Sequence, residues 1–132
     1  MKINLPKGRS AEEKATIALS IRSALLSTLE VRDADRYQLS NEYDVENIRH
    51  TCSYFGMTYS DQLLIVEIAL LEGRDDQVKK SLLVEINHNL VAAAVVAADD
   101  VFVVVSEIGR ANVSSAGARP QRPRLRSRSA GR

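Results

Sequence analysis

A twelve-residue repeat separated by 65 positions is the feature that most constrains the fold of this chain. Residues 3–14, INLPKGRSAEEK, align with residues 68–79, IALLEGRDDQVK, at this constant offset. Each copy has an apolar stretch typical of a strand, then a Gly-Arg turn and the start of a helix. Because 132 residues are about one domain of chain, the repeat predicts two tandem β-α-β units within a single domain.

Two amphipathic helices are predicted directly after the two Gly-Arg turns. Ser10 and Glu13 form a capping box, and the apolar spacing that follows predicts a helix over residues 11–29. Asp75 is the expected cap of a second helix, over residues 76–95, with the same spacing. The apolar residues that define the two stripes are Ile17, Ile21, Leu25 and Leu29 in the first helix and Val78, Leu82, Ile86 and Leu90 in the second.

Short, β-branched apolar stretches at residues 63–70 and 101–105 predict strands that are covered on both faces. The segment 37–60 is polar and irregular, and we expect part of it to form an extended strand or a hairpin. With right-handed crossovers, these elements predict an α+β fold, a four-stranded mixed sheet with both helices on one face. Since the strands are apolar on both faces, the bare face should be buried against other copies in a cyclic homo-oligomer.

Charge is distributed unevenly along the chain. Residues 1–115 carry 12 basic and 17 acidic side chains, whereas residues 116–132 carry six arginines and no acid. The last residues offer almost nothing apolar to bury, so we expect a folded domain over residues 1–117 and a disordered, Arg-rich tail over residues 118–132.

Several classes of protein are excluded by what the sequence lacks. The longest apolar stretch, residues 90–98, is far shorter than the roughly 20 residues that span a bilayer. The first residues of the chain do not have the pattern of a signal peptide. We therefore expect a cytoplasmic protein without a membrane partner. The lone Cys52 cannot form an intramolecular disulfide. His50 and Cys52 lack a second ligand cluster, and no nucleotide-binding or hydrolase motif occurs, so neither metal nor cofactor is expected.

Four motifs follow one another in a fixed order over about residues 2–117. They are a strand with Lys-Gly-Arg-Ser, a capped helix, the tetrapeptide Asp35-Arg36-Tyr37-Gln38, and a second strand ending Glu-Gly-Arg before another helix. In this combination the chain resembles the tautomerase superfamily, and within it the malonate semialdehyde decarboxylase-like branch. The resemblance implies a homotrimer of two-βαβ subunits that acts on a small oxo acid without a cofactor.

In that superfamily an N-terminal proline is the catalytic acid or base. Desolvation and nearby positive charge lower the pKa of such an amine, so that it can exchange protons near neutral pH. This chain begins Met1-Lys2-Ile3, and by the spacing to Gly8 the proline would fall about two residues before Met1. Either the reading frame begins farther upstream, or the protein lacks the catalytic proline and the Met1 amine is the remaining candidate.

Two further site residues are implied by the resemblance. Asp35 matches an acid that orients the amine or activates a water, and Arg74 matches an arginine that binds the carboxylate of the substrate. Glu72 stands where the branch has a second arginine, so the decarboxylase activity of the branch does not follow from the resemblance. Tautomerisation, hydration and decarboxylation all stay open. The competing interpretations are a solvated charged loop for Asp35 and a structural turn for Arg74, since its repeat counterpart Arg9 has the same position.

The favoured hypothesis is therefore a tautomerase-type enzyme that transfers protons on a small oxo acid. The alternative is a non-catalytic trimeric module whose basic tail binds nucleic acid or an acidic partner. Nucleic acid is the less favoured partner, because the tail contains no aromatic residue on which a base could stack.

Overall fold

The computed structural model describes residues 1–29, 37–115 and 119–120. Its strands and helices are, in chain order, β1 (Lys2–Pro6), α1 (Ala11–Thr28), β2 (Leu39–Tyr43), β3 (Ser53–Tyr54), β4 (Met57–Thr58), β5 (Leu64–Leu71), α2 (Asp76–Ala92), β6 (Val101–Ile108), β7 (Ser114–Ser115) and β8 (Arg119–Pro120).

Four of these strands form one mixed sheet in the order β2-β1-β5-β6. The outer pairs β1–β2 and β5–β6 are parallel, whereas the central pair β1–β5 is antiparallel. Alternate strand residues pack against both helices in a single core. The predicted α+β fold, with a four-stranded mixed sheet and two helices on one face, is confirmed.

The core lies between the sheet and the helix layer. Its fully buried side chains, each at most 1 % exposed, include Ile3, Leu5, Ile17, Ile21, Leu64, Val66, Leu82, Ile86 and Leu90. The helical stripes predicted from the sequence therefore face this core, as their spacing indicated.

The duplication extends much farther than the twelve residues visible in the sequence. Lys2 pairs with Leu39 in one parallel pair and Leu64 with Val101 in the other, so both registers are offset by 37 positions. The Lys7 amide donates to the Tyr43 carbonyl at 2.9 Å, and their counterparts 65 residues later, Glu72 and Ile108, make the same bond at 3.0 Å. The described residues 2–29 and 37–48 therefore share one fold with their counterparts, residues 67–94 and 102–113.

A local two-fold axis relates the two units, and the register of the central strands locates it. Lys2 lies opposite Glu67 in the β1–β5 pair, and these two residues are also counterparts in the repeat. The axis must therefore pass between them, at the middle of the sheet.

Helix α2 ends earlier than predicted. It stops at Ala92 rather than at residue 95, because Ala94 takes a positive φ of 60° and its amide donates to the Val91 carbonyl at 2.9 Å. The chain then turns back and Val96, only 7 % exposed, packs into the core. Apolar spacing alone cannot distinguish a last helical turn from a loop that buries its side chains.

The polar segment 37–60 contains both of the structures that were expected there. Strand β2 pairs with β1 along its length, and β3 and β4 form a two-stranded hairpin. The tail predicted over residues 118–132 lies outside the described residues apart from Arg119–Pro120, which pair with β7. The domain boundary therefore stays a prediction. Among the described helices, none is long and apolar enough to cross a membrane.

The sheet face that points away from the helices is open. On β6 it exposes Phe102 and Val104, which are 40 % and 41 % exposed. Toward β1 it becomes polar, with Lys2, Asn4 and Glu67 on the same face. Such an apolar area beside self-complementary charges is typical of a protein interface.

Truncation of Ile86 tests the packing of the core. Ile86 is 0 % exposed, so Ile86→Ala should lower the free energy of unfolding by about 2–5 kcal/mol, measured by urea denaturation. Val84→Ala on the same helix is the matched control, because Val84 is 64 % exposed and its truncation should cost less than about 0.5 kcal/mol. Equal effects of the two substitutions would contradict the described core.

Candidate functional site

The turn after β5 positions Arg74. Gly73 has a φ of +123°, which a residue with a side chain adopts only under strain, and Asp75 then caps α2 by accepting the Val78 amide at 2.9 Å. Arg74 lies between these two residues, partly buried, and its Nη1 donates to the Leu71 carbonyl at 3.3 Å. The guanidinium is therefore held at the carboxyl end of β5.

The first repeat builds the same turn at the opposite end of the sheet. Gly8 also has a φ of +123°, and Ser10 caps α1 with the capping box predicted from the sequence. The Nη2 of Arg9 donates to the Val95 carbonyl at 3.4 Å. Arg9 thus has a structural contact of its own, and it provides an internal reference for any role of Arg74.

The chain begins beside the start of β2. The Met1 amine donates to the Tyr37 carbonyl at 3.1 Å, and the Met1 carbonyl accepts the Leu39 amide at 3.0 Å. The Met1 side chain packs against the core. These contacts hold Met1 directly before β1.

Met1 and Arg74 lie on the same side of the local two-fold axis. Because β1 is antiparallel to β5, the beginning of β1 adjoins the carboxyl half of β5. Continuing the register, Met1 falls opposite Ile68, three residues or about 10 Å before the last residue of β5. The structure therefore places Met1 just beyond the middle of the sheet and Arg74 after the end of β5, on the same side of the axis.

Asp35, the third predicted site residue, lies outside the described residues. Its counterpart in the second repeat, 65 positions later, is Asp100, which is 5 % exposed. Asp100 accepts hydrogen bonds from the Ser60 amide, at 2.8 Å, and from the Ser60 hydroxyl. A carboxylate at this position of the repeated unit can thus be buried and bonded, but the place of Asp35 stays a prediction.

Glu72 lies on the β6 side of the turn. It is exposed, and its Oε2 lies over Gly109, where it would be 3.3 Å from a Cβ added to that glycine. The carboxylate therefore extends away from β1, and Arg74 is the basic residue of this turn.

Two groups near the sheet ends have altered proton affinities. Hydrogen bonds from Lys79 to Glu107 and Asp76 raise the pKa of this lysine, and the 3.1 Å bond to Glu107 ties the first turns of α2 to the end of β6. At the opposite end, burial raises the pKa of the Tyr43 hydroxyl, although the nearby Arg9 acts in the other direction. The bond between Lys79 and Glu107 thus joins α2 to β6 at the end of the sheet that carries Arg74.

His50 and Cys52, the two residues considered as metal ligands, lie in different surroundings. His50 lies edge-on to Tyr59 with ring centroids 5.7 Å apart, and Cys52 is exposed. Within residues 1–29, 37–115 and 119–120, no group of three or more His, Cys, Asp or Glu residues is arranged to hold a metal ion.

Sequence reasoning missed three features of this region. They are the Tyr37 carbonyl as partner of the terminal amine, the direction of the Glu72 side chain, and the Asn4–Glu67 hydrogen bond on the open sheet face. The position of Tyr37 could have been found by extending the repeat, because Tyr37 and Phe102 are aromatic counterparts 65 positions apart. The other two depend on side-chain geometry that no sequence pattern encodes.

Comparison with known proteins identifies the family. A model of the family described as "Tautomerase enzyme" matches residues 35–116. The fold is similar to that of FG41 malonate semialdehyde decarboxylase inhibited by 3-bromopropiolate, with 27 % identity, 88 % of each chain covered and a TM-score of 0.80.

Two further solved structures share the fold at lower identity. A second malonate semialdehyde decarboxylase has 19 % identity over 89 % of this chain and 91 % of that one, with a TM-score of 0.81. A wild-type fused 4-OT, solved as a symmetric trimer, has 18 % identity over 90 % and 93 % of the two chains, with a TM-score of 0.74. No curated protein matches the chain significantly. The family match covers more than half of the residues, so the chain belongs to the tautomerase family, as its motifs predicted.

Proposed function

We propose that this chain is a cofactor-independent enzyme that transfers protons on a small oxo acid. The reaction would be keto-enol tautomerisation or a related hydration or decarboxylation. Membership of the tautomerase family supports the reaction class. The observation that carries the proposal is that Arg74 and the beginning of the chain lie on the same side of the local two-fold axis.

Arg74 binds the carboxylate of the substrate in this proposal. A guanidinium donates two parallel hydrogen bonds to a carboxylate, which fixes both the position and the plane of the acid. The partial burial of Arg74 strengthens such a bond relative to one in open solvent.

The amine at the beginning of the chain is the acid or base. In the chain that begins at Met1, the Met1 amine is the remaining candidate for this role. A proline two residues farther upstream would continue the β1–β5 register to a position opposite Leu70, four residues before Arg74. That position is closer to the guanidinium, and it favours proline as the effective catalyst.

Asp35 assists the amine in this proposal. It precedes Tyr37, whose carbonyl accepts a hydrogen bond from the Met1 amine. A carboxylate near the amine would orient it and stabilise its protonated form, or would activate a water for hydration.

A homotrimer completes the proposed enzyme. The open sheet face is partly apolar, and the similar fused 4-OT forms a symmetric trimer. Burying this face against two other copies would remove Phe102 and Val104 from water.

Arg74→Ala separates the binding role from a structural one. We expect the KM for phenylpyruvate enol, or the Kd of a carboxylate inhibitor measured by calorimetry, to rise about 10- to 100-fold, because a charge-assisted pair is lost. Thermal stability should change little, since Arg74 is partly exposed in a turn.

Arg9→Ala is the matched control for this substitution. Arg9 has the same position in the first repeat but lies at the opposite end of the sheet, so its loss should leave carboxylate affinity unchanged. Equal losses of affinity in the two variants, or unfolding of Arg74→Ala alone, would assign Arg74 to the structure of the turn.

A further inference from the structure

Lys2 and Glu67 stand opposite each other on the open sheet face without forming a pair. Both side chains are exposed, and within the described part of the chain neither makes an ion pair. Glu67 instead accepts a hydrogen bond from the Asn4 amide at 2.8 Å. The Lys2 ammonium and the second oxygen of Glu67 are therefore available to a partner.

Asn4 holds the Glu67 carboxylate in a fixed orientation. Its amide nitrogen also donates to the Ile65 carbonyl at 3.0 Å, and its own side-chain oxygen accepts the Asn41 amide at 3.2 Å. The side-chain amide of Asn4 thus donates both of its hydrogen bonds to β5, and its oxygen accepts one from β2. Glu67 is pre-oriented on the face, so it loses less conformational entropy when it meets a partner.

The position of these two charges follows from the duplication. The local two-fold axis passes between Lys2 and Glu67. In a three-fold ring in which both repeats make equivalent contacts, such two-fold axes run through the three-fold axis. With the open faces turned inward, Lys2 and Glu67 of every subunit point at the centre of the assembly.

We infer that Lys2 of each subunit pairs with Glu67 of a neighbouring subunit, so that three lysines and three glutamates alternate around the centre of the trimer. The partner is a second copy of this chain, because the face carries equal numbers of opposite charges beside the apolar area on β6. The inference rests on the trimer in the proposed function.

An alternating ring makes the assembly specific. A buried charge without a partner is strongly destabilising, whereas opposite charges placed across an interface fix its register. A trimer has one Lys2 and one Glu67 for every contact, so each charge is neutralised. If the three sheets were shifted relative to one another, Lys2 and Glu67 of each subunit would be buried without a partner of opposite charge.

Charge reversal tests the ring. Lys2→Glu and Glu67→Lys each place six charges of one sign at the centre, and each should raise the dissociation constant of the trimer at least about 100-fold, measured by analytical ultracentrifugation. The double reversal restores alternation and should recover most of the affinity. Lys80→Glu, which reverses an exposed lysine on α2, should leave the dissociation constant unchanged.

Neutral variants keep the experiment decisive if a reversed protein does not fold. Glu67→Gln retains an oxygen for Asn4, so it should fold, assemble more weakly than the unmodified chain and lose part of the salt dependence of assembly. A trimer that tolerates both reversals and Glu67→Gln would overturn the ring but not the proposed function. A chain that remains monomeric without any substitution would overturn the proposed assembly itself, and the ring with it.

Discussion

Adding Pro-Val directly before Met1, with an initiator Met that is removed, should raise kcat/KM for phenylpyruvate enol-keto conversion about 100-fold or more. The new amine continues β1 opposite Leu70, four residues before Arg74. General acid-base catalysis by a well-placed group contributes about 10²–10⁴-fold, and the Met1 amine is set back from this position. Stopped-flow absorbance, which follows the loss of the enol at several pH values, measures the effect on kcat/KM.

The same extension with Ala-Val is the matched control. It places a primary amine at the same position, so it separates the chemistry of proline from the effect of a longer strand. We expect it to gain less than the Pro-Val form. If the Pro-Val protein is no faster than the chain that begins at Met1, the proposal that the amine at the beginning of the chain is the acid or base is wrong.

Val104→Glu should abolish the proposed trimer. Val104 lies on the open face of β6 and is 41 % exposed in the single chain, so assembly would bury three new carboxylates. Each buried carboxylate without a partner costs several kcal/mol, which is enough to shift the protein to monomers at micromolar concentration. Light scattering coupled to size-exclusion chromatography gives the mass against the 14.6 kDa of one chain.

Val84→Glu makes the same chemical change on the other side of the molecule. Val84 is 64 % exposed on α2, in the helix layer, and this variant should keep the mass of the unmodified protein. A Val104→Glu protein that stays trimeric would show that the open face is not the interface.

The beginnings of both helices could be predicted because their signals are local. Ser10 and Asp75 bond the first free amides of the helices that follow, and these bonds need no tertiary contact. The end of α2 had no such signal, because Ala94 is not a residue that usually takes a positive φ. Its conformation is imposed by the burial of Val96 in the core.

Strand β2 was only partly predictable for a different physical reason. All but one of its residues are exposed, so it has no apolar alternation, and it is a strand because its main chain pairs with β1. The repeat carries the missing information, since β2 is the counterpart of residues 104–108 in β6. A longer search at the offset of 65 would have located it.

Candidate residues for the site could be named from the sequence, but their arrangement could not be predicted. The resemblance pointed to Arg74 in the second Gly-Arg turn, whereas its place relative to Met1 depends on the antiparallel register of β1 and β5. No sequence pattern distinguishes that register from a parallel one. Asp35 lies outside the described residues, so its role stays a prediction.

A crystal structure of the Pro-Val form with a bound 2-oxo acid analogue tests the central claim most directly. The account predicts a trimer in which the carboxylate of the ligand forms two hydrogen bonds with Arg74, and in which the reacting carbon lies about 3–4 Å from the proline nitrogen. A ligand bound at Arg9 or away from both groups, or a terminal amine too far from the ligand to exchange a proton, would contradict it.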